Sequence, residues 1–136
     1  MLYYLLVVLK GNEKVSSLTP RANYIDRVNR IFTEYNRRSN ELDLTSECYI
    51  CPAGMYGQML YLTLASKNKN IIGFIDGDPK KDCTRLYGTD KFTYSPSRLL
   101  NYNKKRINLI LCICPYEKEI MVYLNEYTSY INLIKM

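Results

Sequence analysis

The segment Cys48–Leu60, CYICPAGMYGQML, constrains the fold more than any other stretch of the chain. A short apolar run meets two glycines three residues apart, Gly54 and Gly57, and an amphipathic run follows. That is a buried strand, a turn and a helix, the helix running to about Ser66 with Met59, Leu60, Leu62 and Leu64 near its core side. The pattern then repeats in kind. Ile71–Asp76, IIGFID, reads as a second strand, and Gly77–Gly88 as a long polar loop. Phe92–Tyr94 reads as a short strand, and Ser95-Pro96 opens a helix by capping chemistry. Ile107–Cys114, INLILCIC, is the strongest strand. Pro115 opens a helix carrying Ile120, Met121 and Leu124, and Tyr130–Ile134 closes the series as a strand. Strands separated by helices imply βαβ crossovers and a mostly parallel sheet covered on both faces. The predicted class is therefore α/β, a three-layer sandwich of Rossmann type.

A long helix precedes this unit. Thr19 as N-cap and Pro20 in the first turn give a helix start. Tyr24, Ile25, Val28, Ile31, Phe32 and Tyr35 follow at helical spacing, and the helix ends near Asn40. Asp26 with Arg30, and Glu34 with Arg38, are i,i+4 pairs expected on its outer face. Two parts are expected: residues 1–19 as an apolar segment and linker, and residues 20–136 as the α/β domain. The opening MLYYLLVVLK is apolar from Met1 to Leu9. It is too short to span a bilayer and lacks the flanks of a signal peptide. A buried strand, or a segment docking on a partner subunit, is the expectation.

Composition narrows the chemistry. The chain has 136 residues, enough for one domain with its own core. It has no histidine, which removes the commonest general base and metal ligand, so catalysis would rest on carboxylates, Lys, Tyr or Cys. The formal charge of +6 is spread along the chain apart from Arg27–Arg38 and Asn103–Arg106. A solvated helix face and a loop account for these clusters, so no nucleic-acid partner is expected, while a small anionic ligand suits the balance. The five cysteines, Cys48, Cys51, Cys83, Cys112 and Cys114, are odd in number and lie mostly in apolar runs. Reduced core thiols in a cytoplasmic setting are expected, with no membrane and no metal. Cys48 and Cys51 would point to opposite faces of one strand, unlike the turn-borne pairs of zinc sites.

In a sheet of this kind ligands sit at the carboxyl ends of the strands. Three segments fall on that edge: Pro52–Gly57 (PAGMYG), Asp76–Pro79 (DGDP) and Cys114–Glu119 (CPYEKE), with Lys80 and Lys81 nearby in sequence. Gly54 would let the backbone approach a phosphate, and Gly57 would let the helix pack tightly on the strand. The helix start offers unpaired N–H groups and partial positive charge. Asp76 follows Gly54 by 22 residues, the spacing of an acid that holds a ribose hydroxyl. Pro52 stands where the first glycine of such a turn is usual, and it removes one N–H donor. The candidate ligand-binding residues are Gly54, Met55, Tyr56, Gly57, Asp76 and Asp78, with no catalytic or metal-binding residue assigned. The alternative is that the glycines serve only strand–helix packing and DGDP is an ordinary turn.

The stretches ICPAGMYGQML and IIGFIDGDPKKDCTRLYGTDKFTYSPSRL resemble the Rossmann-like C-terminal domain of sugar C-methyltransferases. They are also similar to the nucleotide-sugar-binding N-terminal domain of bacterial sugar acetyltransferases. The shared pattern is a strand, GAGxxG, a helix, then GFIDDDPxKxGxxxxGxPVxSPEEL, and INLILCICPYEKEIMVYL matches the later strand and helix. The resemblance spans about Pro20–Ile134 and is most specific over Gly73–Leu99. It implies a binding edge at Gly54, Gly57, Asp76 and Asp78, and no catalytic residue. The S-adenosylmethionine domain of the methyltransferases and the hexapeptide-repeat domain of the acetyltransferases are not expected within these residues. Departures are Pro52 for the first glycine, Gly77 for a frequent acid, and Cys83 where glycine is common.

The leading expectation is a stand-alone domain of a sugar-modification pathway that binds a nucleotide or nucleotide sugar without chemistry of its own. NAD(P) is an alternative cofactor. A second reading is an interaction module, homo-oligomeric or paired with a catalytic chain such as a methyltransferase, motivated by the LYYLLVV start and fourteen tyrosines. A small NAD(P)-dependent oxidoreductase is a third. The sequence offers little for it: Arg106, not Lys, follows Tyr102 by four places, and there is no histidine.

Overall fold

The computed structural model describes residues 20–42, 46–67, 69–101 and 106–136. Thr19 and the expected segment 1–19 lie outside the described residues.

Helix α1 (Pro20–Ser39) leads into strand β1 (Cys48–Cys51), helix α2 (Met55–Ala65) and strand β2 (Ile71–Ile75). A 3-10 turn (Pro79–Lys81), strands β3 (Thr84–Arg85) and β4 (Phe92–Tyr94), and a second 3-10 segment (Pro96–Asn101) follow. Strand β5 (Ile107–Leu111), helix α3 (Glu117–Leu124), a third 3-10 segment (Asn125–Tyr130) and strand β6 (Ile131–Lys135) complete the order. The six strands form one sheet in the order β3-β4-β2-β1-β5-β6. Every pairing is parallel except β3 with β4. The α/β class with a mostly parallel sheet and a preceding helix is as expected.

Period-two alternation sends each strand's side chains into two cores. From β1, Cys48 and Ile50 enter one core and Tyr49 and Cys51 the other. From β5, Ile110 joins the first core, while Ile107, Leu109 and Leu111 join the second. Helices α1 and α2 cover the first core with Val28, Ile31, Tyr35, Met59, Leu60 and Leu64. The second 3-10 segment and α3 cover the other with Leu99, Ile120 and Leu124.

Several details differ from expectation. Ser95-Pro96 opens a six-residue 3-10 segment instead of an α-helix, with Leu99 its buried anchor. Ser95 Oγ meets Ser97 Oγ at 2.7 Å instead of capping a backbone N–H. Strand β5 stops at Leu111, although the apolar run continues to Cys114. Its partner β1 ends opposite it at Cys51, Cys112 N–H donates to the Cys51 carbonyl at 2.9 Å, and the Ile113 N–H turns to the Tyr35 hydroxyl at 3.1 Å. On α1, Glu34 pairs with Arg37 instead of Arg38, and Arg38 donates to the Lys135 carbonyl at 2.9 Å. Asp26 and Arg30 form no ion pair among the described residues.

Candidate functional site

From β1 the chain runs outward on one side to β2 and β4, then crosses back to β5 and β6 on the other. The strand order therefore reverses between β1 and β5, and a crevice opens at the carboxyl ends there. A cleft of about 610 Å³ occupies it, lined by the β1–α2 turn, the Asp76–Lys81 segment after β2, and the start of α3.

The β1–α2 turn is fixed from both ends. Gly54 is the N-cap of α2 with φ +122°, a conformation that suits glycine and strains any residue with a Cβ. At Gly57 a Cβ would sit 2.1 Å from the Pro52 carbonyl oxygen, so only glycine lets the turn lie this close to the helix. The Cys51–Pro52 bond is cis. Gln58 N–H closes the first helical bond to the Gly54 carbonyl at 2.8 Å. The backbone N–H groups of the first turn have no intrahelical acceptor, as in every α-helix.

Asp76 ties this turn to the next loop. Its carboxylate accepts from the Ala53 N–H at 3.1 Å, from the Asp78 N–H at 2.9 Å, and from Lys81 Nζ at 3.4 Å. Lys81 Nζ also reaches the Ala53 carbonyl at 3.4 Å. The acid expected to reach a ribose hydroxyl thus spends three contacts holding two loops together. A carboxylate has about four acceptor positions, which leaves room for one further donor. Asp78 caps the 3-10 turn, accepting from the Lys80 N–H at 3.0 Å.

The opposite wall comes from α3. Tyr116, Glu119, Ile120 and Tyr123 line the cleft, at the i, i+3, i+4, i+7 spacing of one helix face. Tyr116 and Tyr56 meet edge to face with centroids 6.4 Å apart. The Tyr123 ring packs on Gly77, where a Cβ would sit 2.8 Å from it, so the absence of a side chain at this position makes room for the tyrosine. Tyr123 Oη and Cys51 Sγ are hydrogen-bonded at 3.2 Å. Burial pushes the Cys51 thiol up to about 12 and the Tyr123 phenol far above its ordinary range. Burial likewise raises Cys48, to about 12, and Cys112. At neutral pH these groups keep their protons and serve as packing and hydrogen-bonding groups, as thiols of a core do.

Gly54, Met55, Tyr56, Asp76 and Asp78, named from sequence, all line this cleft, together with Lys81. Gly57 does not line it and acts beneath the turn. Tyr123 was not singled out from sequence, yet its helical spacing from Tyr116 and Glu119 was the signal that would have found it. The cleft holds three carboxylates, Asp76, Asp78 and Glu119, against one ammonium, Lys81. Tyr35 steadies the rim from behind: its hydroxyl accepts from the Ile113 N–H and lies 3.5 Å from the Tyr56 carbonyl oxygen.

No family model matches the chain, and neither a curated protein nor a solved structure matches it.

Proposed function

We propose that the chain binds a nucleotide or nucleotide sugar in the cleft at the β1/β5 switch point and acts as the binding domain of a sugar-modification pathway. The observation that carries this reading is the meeting of three carboxyl-edge loops around one 610 Å³ cleft, a volume suited to a ligand of nucleotide size. The first turn of α2 and Lys81 offer N–H groups and positive charge to a phosphate. Tyr56, Tyr116 and Tyr123 offer apolar faces to a base or sugar ring. The resemblance to sugar C-methyltransferase and acetyltransferase domains, at Gly54, Gly57, Asp76 and Asp78, supports the same assignment. The buried Cys51 thiol and Tyr123 phenol beside the cleft are held protonated, and no catalytic step is assigned to it.

Thermal unfolding with UDP- and dTDP-sugars, NAD, NADP and S-adenosylmethionine tests it. A ligand at a hundred times its Kd adds about 2.7 kcal/mol of stability. A shift with a nucleotide sugar, weakened about tenfold in affinity by Lys81→Gln, is the expected result; Lys81 is 42% exposed, so this variant keeps its fold. No shift with any of these compounds overturns the reading.

The second reading, an interaction module, draws on β6. Its five residues pair with β5 along one side, and no strand among the described residues pairs with the other. An open strand edge is a template for a further strand. A strict monomer in size-exclusion chromatography with light scattering, with no chain co-purifying, would remove it.

A further inference from the structure

The cleft does not end at Tyr56. This residue also lines a smaller trough of about 290 Å³ with Arg27, Ile31, Ile113, Cys114 and Pro115. Arg27, Ile31 and Ile113 in turn line an open depression of about 670 Å³ on the α1 side, together with Arg30. Shared walls thus lead from the nucleotide cleft, past Tyr56 and over Ile113, to two arginines one helical turn apart on α1. The position of α1 explains the path. Tyr24 donates to Met55 Sδ at 3.0 Å and Tyr35 bonds Ile113, so the α1 face between them runs along the start of α2 and the β5 loop.

The charges along this path are uneven. Neither Arg27 nor Arg30 forms a hydrogen bond or ion pair among the described residues, and both are exposed. The acid at hand in the depression is Glu34, and it is committed to Arg37. Asp26 is adjacent in sequence but lines neither hollow. The cleft itself is rich in carboxylates, so the cationic end of the path is the α1 end. Guanidinium groups one turn apart bind planar oxyanions in a forked geometry.

We infer that Arg27 and Arg30 form a second anion subsite for the cleft's ligand, taking a phosphate or carboxylate group of that ligand. The inference rests on the nucleotide reading above. It makes the ligand an extended one, with a ring system among the tyrosines and an anionic group carried over Ile113 to α1.

Calorimetric titration of UDP-glucose and UDP-glucuronate into the full chain, with and without Arg27→Gln plus Arg30→Gln, tests it. The two nucleotides differ only in one carboxylate. The double variant is expected to lose about fivefold in affinity, the size of one well-formed exposed ion pair. A loss confined to UDP-glucuronate assigns the subsite to the carboxylate; an equal loss for both assigns it to the diphosphate. A control, Arg85→Gln plus Lys91→Gln, removes the same charge in β3 and beside β4, at residues that line neither the cleft nor the trough. An equal loss in that control, or no loss in the double variant, overturns the subsite while leaving the cleft assignment standing. Absence of binding by both nucleotides to the unmodified chain overturns the subsite, and the functional reading falls as well when the other compounds of the thermal-unfolding test also fail to bind.

Discussion

On one face of the sheet the cover consists of two helices of 20 and 11 residues; on the other, one helix of eight residues stands between two 3-10 segments of six. Long helices satisfy their own backbone and present an apolar stripe at regular spacing. The first face therefore buries a continuous set, from Val28 and Tyr35 on α1 to Leu64 on α2. The second face rests on fewer anchors, with Leu99, Ile120 and Leu124 carrying most of the cover. The cleft lies where the two covers meet. One supplies a turn locked by glycine geometry, the other a wall of tyrosines hung on two aliphatic residues. A regular face positions the glycine turn, and a sparse face carries the tyrosine wall.

That contrast can be broken most forcefully from the regular face. Gly57→Ala places a methyl 2.1 Å from the Pro52 carbonyl oxygen, and a backbone atom cannot step aside cheaply. The expected loss is about 3 kcal/mol or more, among the larger effects of single substitutions, read as a fall in the denaturant midpoint. An unchanged midpoint would mean the turn is not locked.

Leu124→Ala probes the sparse face. Leu124 is fully buried, and its truncation is expected to cost about 2–5 kcal/mol. The sharper readout is proteolysis of the native state: if α3 depends on so few anchors, cleavage near Glu117–Leu124 should accelerate more than cleavage within α1. Equal acceleration of both would show the two faces unfolding as one.

The last test treats both faces alike. Cys48 on one side and Cys51 on the other have folded-state values of about 12 against an ordinary 9.0, raised by burial. A raised value means the folded chain keeps protons that the unfolded chain loses. Stability should therefore hold up to about pH 9 and decline as pH rises from there toward 12. Chemical denaturation between pH 8 and about 10.5 checks this, and a flat profile would show that the thiols are not sequestered.

The same contrast governs what was legible in the sequence. Helix α1 was readable because Val28, Ile31 and Tyr35 recur at helical spacing, and β1, β2 and β5 because apolar runs of strand length stand between turns. The cover around Leu99 was misread as an α-helix, since Ser95-Pro96 suits either helix type and one buried leucine sets no period. Strand β3 was missed because Thr84 and Arg85 are exposed and polar; it exists only through pairing with β4, aided by the Cys83 N–H bond to the Thr93 carbonyl at 2.8 Å. The end of β5 depended on where β1 ends and on the distant Tyr35, which no local window contains. In the site, the glycines and Asp76 carried a spacing signal. What Asp76 binds did not, because its partners Ala53 and Lys81 meet only in the fold. The trough to Arg27 was invisible for the same reason, and spacing alone would have spent Arg30 on Asp26.

The Tyr35 hydroxyl has a consequence for handling this domain as a unit. One phenol on α1, fully buried, satisfies the backbone of the β5 loop behind the cleft. Helix α1 is thereby a keystone of the cleft's rim and not a leader to it. A graft, truncation or chimera that begins at β1 would strip the first core of Val28, Ile31 and Tyr35 and leave the Ile113 N–H without its acceptor. A transplantable unit therefore has to carry α1 together with the sheet.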